Sequence, residues 1–144
     1  MRTVNHILQW KGTDVWSVSP GTTVYEALSL MAQKNIGALT VLDGATLAGI
    51  FSERDYARKV ILKGKSSKEI QVREIMTAPV VWVAPQTPID ECMKLMTEKH
   101  FRHLPVMAGG KLGGLISIGD VVKEIIDDQR STIDQLSGYI TGKI

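Results

Sequence analysis

The sequence GIFSERD at residues 49–55 has a counterpart, GLISIGD, at residues 114–120. Both stretches read glycine, two apolar residues, serine, two variable residues and aspartate. The apolar pair fits the end of a buried strand. Serine followed three residues later by an acid fits a helix start, because the hydroxyl accepts a free backbone N–H and the acid lies in the first turn. One such capping box is common and implies no function, but two at one spacing indicate a longer repeat.

The repeat extends over most of the chain with an offset of 65 residues. Residues 15–61 align with residues 80–126 without a gap. Identical pairs include Val18/Val83, Pro20/Pro85, Glu26/Glu91, Met31/Met96, Leu39/Leu104, Gly44/Gly109 and Leu47/Leu112. Before residue 15 the offset becomes 68, because the first copy carries three extra residues near Lys11 and Gly12. The matches in that leading segment are Val4/Val72 and Ile7/Ile75.

Each repeat predicts the element order β-α-β-β-α. The expected first strands are residues 15–18 and 80–83, the strand pairs are 38–42 with 47–51 and 104–107 with 112–117, and the final helices are 56–62 and 121–126. A tight glycine-containing turn joins the strands of each pair. Helical spacing gives each amphipathic helix one apolar face, made of Val24, Ala27, Leu28 and Met31 in the first copy and Ile89, Cys92, Met93 and Met96 in the second.

Each repeat is only about 55–60 residues long, which is near the lower limit for burying its own core. The sequence therefore predicts an α+β fold in which two β-α-β-β-α repeats pack through their sheets with pseudo-twofold symmetry. We place the repeats at residues 1–65 and 66–130, followed by a helical tail at residues 131–144. The apolar stripe of this tail is Ile133, Leu136 and Ile140. Because the stripe has no partner in its own repeat, it predicts docking on a second subunit.

Composition and charge restrict the classes of function. The 144-residue chain has 44% hydrophobic and 22% charged residues, which is ordinary for a soluble globular protein. Its net charge of +2 is too small to argue for nucleic acid. Cys92 is the only cysteine, so no internal disulfide can form. Because neither a secretory signal nor an apolar run near the roughly 20 residues of a membrane helix is present, we expect a cytoplasmic protein that binds neither nucleic acid nor membrane.

The strand–helix junctions at residues 49–55 and 114–120 are called the first and second corner. Two further motifs accompany these corners, VREIMT at residues 72–77 and RHLPV at residues 102–106. With the doubled element order and the Gly-x-x-Ser-x-x-Asp corners, they make the chain resemble a tandem pair of CBS (cystathionine-β-synthase) domains over nearly its whole length. The SERD corner at residues 52–55 is typical of stand-alone bacterial pairs. The resemblance implies a regulatory module that binds AMP foremost, or ADP, ATP, NAD(H) or S-adenosylmethionine, in clefts between the repeats. It also implies a regulated partner protein, a disc-shaped homodimer and no catalysis.

The same resemblance assigns roles to the residues of the corners. Asp55 and Asp120 match the family's ribose-binding aspartate, whose carboxylate accepts hydrogen bonds from both ribose hydroxyls. The free N–H groups at a helix start suit a phosphate. Ser52 and Ser117 would add a hydroxyl donor there.

Cationic residues distinguish the two corners. Arg54 supplies a bidentate cation at the first corner, whereas Gly119 occupies the equivalent position of the second. The resemblance places Arg54, Arg102 and His103 around a phosphate region shared by the two pockets. We therefore expect the two nucleotide sites to be non-equivalent.

Adenine needs an apolar slot with backbone hydrogen-bond partners, and equivalent segments of the two repeats provide candidates. They are residues 36–38 and 101–104 before the middle strands, and residues 14–16 and 79–81 at the first strands. Phe101 in place of Ile36 would make the slots differ in stacking capacity. The full set of implied nucleotide-binding residues is Asp14, Val15, Ile36, Gly37, Ala38, Ser52, Arg54, Asp55, Thr77, Pro79, Val80, Val81, Phe101, Arg102, His103, Leu104, Pro105, Ser117, Ile118 and Asp120.

Two other functions remain open at this point. One is a purely structural homodimer, and the other is an enzyme that processes a nucleotide, although the sequence has no recognisable nucleophile–base pair or phosphate loop. Arg102 and His103 could instead be a solvated loop pair. His100 and His103 lack carboxylate or cysteine neighbours at ligand spacing, so no metal site is expected.

Overall fold

The computed structural model describes residues 2–141 of the chain, with side chains as far as residue 138. Its helices and strands are α1 (Val4–Lys11), β1 (Ser17–Val18), α2 (Val24–Lys34), β2 (Ala38–Asp43), β3 (Thr46–Ser52), α3 (Glu53–Tyr56), α4 (Ile89–Lys99), β4 (His103–Ala108), β5 (Lys111–Ser117) and α5 (Ile118–Thr141). A π-helical turn, Ala57–Ile61, continues α3, and a 3-10 turn spans Val72–Glu74. The predicted α+β class is confirmed.

The two hairpins are built in the same way. β2 pairs antiparallel with β3, and β4 pairs antiparallel with β5. Each hairpin shifts its register at the equivalent place, after Val41 and after Val106. The tight turns contain Gly44 at φ 63° and Gly109 at φ 58°, a left-handed conformation that glycine adopts readily. The predicted strand pairs are therefore confirmed, each extended by a residue or so.

The structure differs from the prediction at both first strands. In the first repeat the strand expected at residues 15–18 is only β1, which runs parallel to β2. In the second repeat the strand predicted at residues 80–83 is wrong. There Val83 forms an isolated parallel bridge with Val106, outside any strand.

Pro105 explains the loss of this strand. Thr40, the counterpart of Pro105 in β2, donates its backbone N–H to the carbonyl of Trp16 at 3.3 Å. Pro105 has no backbone N–H, so the equivalent bond cannot form in the second repeat. Val83 pairs just beyond this gap, where its N–H donates to the Pro105 carbonyl at 3.0 Å and its carbonyl accepts the Met107 N–H at 2.8 Å.

The compact units of the chain do not coincide with the sequence repeats. One unit is Asp14–Val81, and the other joins the described residues of Met1–Thr13 to those of Trp82–Ile144. The boundaries expected at residues 1–65 and 66–130 therefore mark repeats of sequence, whereas the spatial units group the chain differently.

The two leading segments account for this difference. Val72 and Ile75 are buried in the core of the Asp14–Val81 unit, and their sequence matches Val4 and Ile7 are fully buried in the other unit. An apolar pair three residues apart on one turn must be covered, and each unit covers one such pair. The core of the Asp14–Val81 unit consists of Val24, Ala27, Met31, Leu39, Val41, Phe51, Val60, Ile70, Val72 and Ile75.

The predicted helices are present with the expected faces. The buried residues of α2 are Val24, Ala27 and Met31, and those of α4 are Ile89, Cys92 and Met96; Leu28 and Met93 are half-buried. The second final helix and the tail form one continuous helix, α5, which packs against α1, α4 and β5. Ile133 and Leu136 of the predicted stripe are exposed, and the side chain of Ile140 lies outside the described residues.

Candidate functional site

The first corner lies in the Asp14–Val81 unit, where β3 ends and α3 begins. The Ser52 N–H donates to Asp55 Oδ2 at 3.0 Å, and the Asp55 N–H donates to Ser52 Oγ at 3.2 Å. This reciprocal pair is the predicted capping box. The Ser52 hydroxyl also lies 3.1 Å from Asp55 Oδ2.

The Asp55 carboxylate has further partners in its own unit. Its Oδ1 atom accepts a hydrogen bond from the Thr77 hydroxyl at 3.1 Å. The same atom forms an ion pair with Lys59 Nζ at 3.2 Å. With the two Ser52 donors on Oδ2, four donors face a group that has about four lone-pair sites. The Asp55 side chain is only 10% exposed. Asp55 is therefore a saturated structural carboxylate in this structure.

The second corner lies in the other unit, between β5 and α5. The Ser117 N–H donates to Asp120 Oδ2 at 2.8 Å, and the Asp120 N–H donates to Ser117 Oγ at 3.1 Å. The predicted capping box is again present. The remaining partner of Asp120 is Lys11, whose Nζ forms an ion pair with the same Oδ2 atom. Among residues 2–141, every hydrogen bond or ion pair to this carboxylate falls on Oδ2, so the Oδ1 atom retains its acceptor capacity.

Lys11 is a functional candidate that the sequence did not reveal. It belongs to the last turn of α1 and brings a cation to the corner whose own sequence has Gly119 in place of Arg54. The pairing joins residues 109 apart, beyond any local pattern. The only signal was the insertion of three residues near Lys11 in the first copy.

Two further contacts fix α1 beside α5. Glu124 is 1% exposed and accepts hydrogen bonds from Arg2 Nη1 on Oε1 and from Trp10 Nε1 on Oε2, both at 3.0 Å. The hydrogen bond with Glu124 raises the pKa of Arg2 above its usual value. Lys123 Nζ lies over the Trp10 ring, 4.2 Å from its centroid. The helix that carries Lys11 is thus held at both ends.

The segment that precedes each repeat packs closely against the first glycine of the corner motif, Gly49 or Gly114. A Cβ atom on Gly114 would lie 2.8 Å from Leu8 Cδ2 of α1. A Cβ atom on Gly49 would lie 2.7 Å from Met76 Sδ and 3.0 Å from the Thr77 carbonyl oxygen. In both copies another segment of the same unit packs directly onto the strand, so a side chain at either glycine would force a neighbour to shift.

The structure joins each corner to the segment before the middle strand of its unit. The Glu53 N–H donates to the Gly37 carbonyl at 3.1 Å, and the Ile118 N–H donates to the Arg102 carbonyl at 2.9 Å. These equivalent bonds bring the predicted adenine segments 36–38 and 101–104 next to the predicted ribose carboxylates.

The predicted site residues divide between the units. The Asp14–Val81 unit contains Asp14, Val15, Ile36, Gly37, Ala38, Ser52, Arg54, Asp55, Thr77, Pro79, Val80 and Val81, and the other unit contains Phe101, Arg102, His103, Leu104, Pro105, Ser117, Ile118 and Asp120. Ala38, Leu104 and Pro105 are buried, so they offer little surface to a base. The nucleotide-binding role of the whole set remains a prediction.

Two features are absent from the described residues. No group of three or more His, Cys, Asp or Glu side chains within residues 2–141 is arranged to hold a metal ion. No helix in the described part of the chain combines the length and apolar character that crossing a membrane requires.

Comparisons with known proteins give the family. The CBS-domain family model matches residues 10–62 and 72–127. The CBS domain-containing protein CBSX3, mitochondrial, of Arabidopsis thaliana is 38% identical over 97% of this chain and 72% of its own length. A solved CBS-domain protein from Burkholderia ambifaria is 56% identical, with a TM-score of 0.85 over 89% of this chain and 96% of that one. A hexameric CBS-CP12 protein from bloom-forming cyanobacteria is 29% identical, with a TM-score of 0.77 over 85% of this chain and 70% of that one. The chain therefore belongs to the CBS-domain family and carries a tandem pair of CBS domains.

Proposed function

We propose that the chain is a regulatory module that binds an adenine nucleotide, AMP foremost and ADP, ATP or NAD(H) as alternatives, and controls a partner protein. The proposal rests on the Asp120 corner. Its carboxylate is fixed by a capping box, yet the Oδ1 atom retains its lone pairs for a ribose hydroxyl. Asp55, with four donors already on its carboxylate, is the weaker ribose candidate.

A phosphate near this corner would have two kinds of partner. The first N–H groups of α5 are helix-terminal donors, and the Ser117 hydroxyl lies beside them. Lys11 Nζ adds a positive charge. In this arrangement Lys11 exchanges part of its contact with Asp120 for a contact with the phosphate.

Regulation follows from the same contact. A ribose has two hydroxyls, so the one that does not bind Oδ1 reaches Asp120 Oδ2 and competes there with Lys11, which holds the end of α1 to α5. Ligand binding would therefore loosen the last turn of α1, while Arg2 and Trp10 keep the rest of α1 attached through Glu124. The partner protein would sense this change.

Calorimetry tests the proposal. Each of AMP, ADP, ATP and NADH is titrated into the chain, into Asp120→Ala and into Asp134→Ala, which removes an exposed acid from the same helix. We expect heat from at least one nucleotide, a loss of about 1.5–3 kcal/mol of binding free energy in Asp120→Ala, and no loss in Asp134→Ala. Absence of heat for every nucleotide at millimolar concentration, with a folded protein, would rule the function out.

A purely structural homodimer is the second candidate. Exposed apolar residues on α5, among them Ile133 and Leu136 at 59% exposure each, support an association with another chain. The related CBS-CP12 protein is hexameric, so assembly occurs among relatives. We propose no catalytic activity, and none of the relatives named above is named for a reaction. The expected cytoplasmic location remains a prediction.

A further inference from the structure

The distal part of α5, residues 129–138, is largely exposed. Ser131 and Gly138 are half-buried, and the other eight residues of this distal segment are exposed. α5 has 24 residues, so at about 1.5 Å per residue it is some 36 Å long, and its second half extends beyond the packed first half.

The sequence of the distal segment does not explain why it is helical. It contains Ser131, Thr132, Ile133, Ser137 and Gly138, and these residue types have low helix propensity. The packed first half of α5 supplies the helix nucleus, but these residue types add little to its extension. Packing against another molecule would supply the missing stabilisation.

The apolar pattern of α5 indicates what that molecule is. Five residues follow one another at spacings of 4, 3, 4 and 3, and we name them the α5 seam: Val122, Ile126, Gln129, Ile133 and Leu136. In heptad terms, Ile126 and Ile133 occupy a, and Val122, Gln129 and Leu136 occupy d. The average spacing of 3.5 is that of a helix packed along a second helix.

The exposure of the seam agrees with this interpretation. Val122, Ile126, Ile133 and Leu136 are 40%, 41%, 59% and 59% exposed, and Gln129 is also exposed. Four large apolar side chains in one line on a single helix form an uncovered strip. The strip begins where α5 is packed in its unit and continues along the distal segment.

The residues beside the seam favour a parallel pair. Positions e hold Lys123 and Arg130, and positions g hold Ile125 and Thr132. In a parallel pair e faces g of the other helix, which sets each cation beside an uncharged residue. In an antiparallel pair e faces e, which would bring Arg130 of the two copies together. Isoleucine at a with leucine at d also favours parallel two-stranded coils.

We propose that α5 of one chain pairs in parallel with α5 of a second copy along the α5 seam. The inference gives the proposed homodimer its interface, and therefore rests on that part of the proposed function. Gln129 would meet its own counterpart at the centre, where a polar residue fixes the register.

Sedimentation equilibrium of matched variants tests the interface. Ile133→Asp places a charge in the seam, whereas Gln135→Asp places the same charge on the same turn, facing away from it. We expect a dimer for the unaltered chain and for Gln135→Asp, and a dimer dissociation constant at least about 100-fold higher for Ile133→Asp. An Ile133→Asp variant that dimerises normally would rule out the α5 seam as the dimer interface.

Single cysteines test the orientation without destabilising the fold. Cys92 is the only native cysteine and is buried, so an introduced thiol is the only accessible one. In a parallel pair, Val122→Cys and Leu136→Cys each oxidise to a homodimeric disulfide, because equivalent d positions face each other. In an antiparallel pair a positions face d positions, so cross-linking would require a mixture of Ile126→Cys and Leu136→Cys, and that result would overturn the proposal.

The outcomes separate the two proposals. A chain that stays monomeric at every concentration overturns both the homodimer and its interface. A dimer that survives Ile133→Asp and forms neither disulfide overturns the interface alone. Nucleotide calorimetry on the Ile133→Asp variant reports on the Asp120 site independently of assembly.

Discussion

Lys11 Nζ lies 2.5 Å from Asp120 Oδ2, and this ion pair joins the last turn of α1 to the first turn of α5. The same carboxylate is the ribose candidate of the proposed function. At the first corner the ion pair of Asp55 is local, with Lys59 of its own helical segment, four residues away. The two copies of one motif thus differ in what holds their aspartates.

Replacing Lys11 by methionine should separate ribose from phosphate recognition. Asp120 Oδ2 no longer has a competing partner, so adenosine should bind up to about fivefold more tightly, the value of one partly exposed ion pair. AMP should gain less or lose affinity, because the cation beside its phosphate is gone. Calorimetry with both ligands gives the ratio of dissociation constants. Lys123→Met, which removes a nearby cation that does not touch Asp120, should leave the ratio unchanged; an unchanged ratio in Lys11→Met would contradict the role of Lys11.

Asp55→Ala and Asp120→Ala should have opposite profiles of stability and affinity. Asp55→Ala removes a capping partner and leaves Thr77 and Lys59 without their carboxylate partner. It should therefore lower the free energy of unfolding by about 2–4 kcal/mol. Asp120→Ala should cost only about 1 kcal/mol. Urea unfolding measures both, and nucleotide affinity should fall in Asp120→Ala alone. Equal destabilisation with no change in affinity would make both aspartates capping residues and nothing more.

Trp10→Phe should destabilise the folded chain because it removes a hydrogen-bond donor from the buried Glu124. It leaves Glu124 Oε2 without its indole donor in a side chain that is 1% exposed, at a cost of about 1–3 kcal/mol. Trp16→Phe is a matched control, because Trp16 has the same exposure, 42%, and a lysine 4.1 Å from its ring. Within residues 2–141 no hydrogen bond from the Trp16 indole is formed, so its replacement should cost less than about 1 kcal/mol. Unfolding is followed by circular dichroism, and equal losses would refute the role of the Glu124 bond.

Gly49→Ala should be more damaging than Gly114→Ala. The new methyl group at Gly49 meets the Thr77 carbonyl, which is backbone and cannot rotate away, so a loss of about 1–3 kcal/mol is expected. At Gly114 it meets the end of the Leu8 side chain, which can move, and the loss should lie below about 1 kcal/mol. Thermal unfolding of the two variants gives the order, and the reverse order would contradict the close approach at Gly49.

Cys92 should make stability depend on alkaline pH. Burial raises the pKa of its thiol from 9.0 to about 11. The contribution of the protonated thiol is complete below the unfolded-state pKa and is lost as pH rises through the folded-state pKa. Urea unfolding from about pH 8 to about pH 10.5 should therefore show the gap between the unaltered chain and Cys92→Ala narrowing. A gap that stays constant over this range would mean that the thiol titrates alike in both states.

Local pattern explains what could be predicted from the sequence. The capping boxes, the hairpins with glycine turns and the amphipathic faces each depend on residues within a few positions of one another, and repetition at an offset of 65 residues identified them twice. Pro105 is also visible in the sequence. Its consequence, the loss of the strand at residues 80–83, was missed because it depends on which strand lies beside it.

Tertiary structure alone decided which partners those local elements take. Thr77 reaches Asp55 across 22 residues and Lys11 reaches Asp120 across 109 residues, and no periodicity encodes such pairings. The sequence therefore determined that two equivalent corners exist, each with a capped aspartate. Packing of the leading segments determined that one aspartate is saturated and the other retains acceptor capacity, because hydrogen-bond capacity depends on neighbours in space and not on neighbours in the chain.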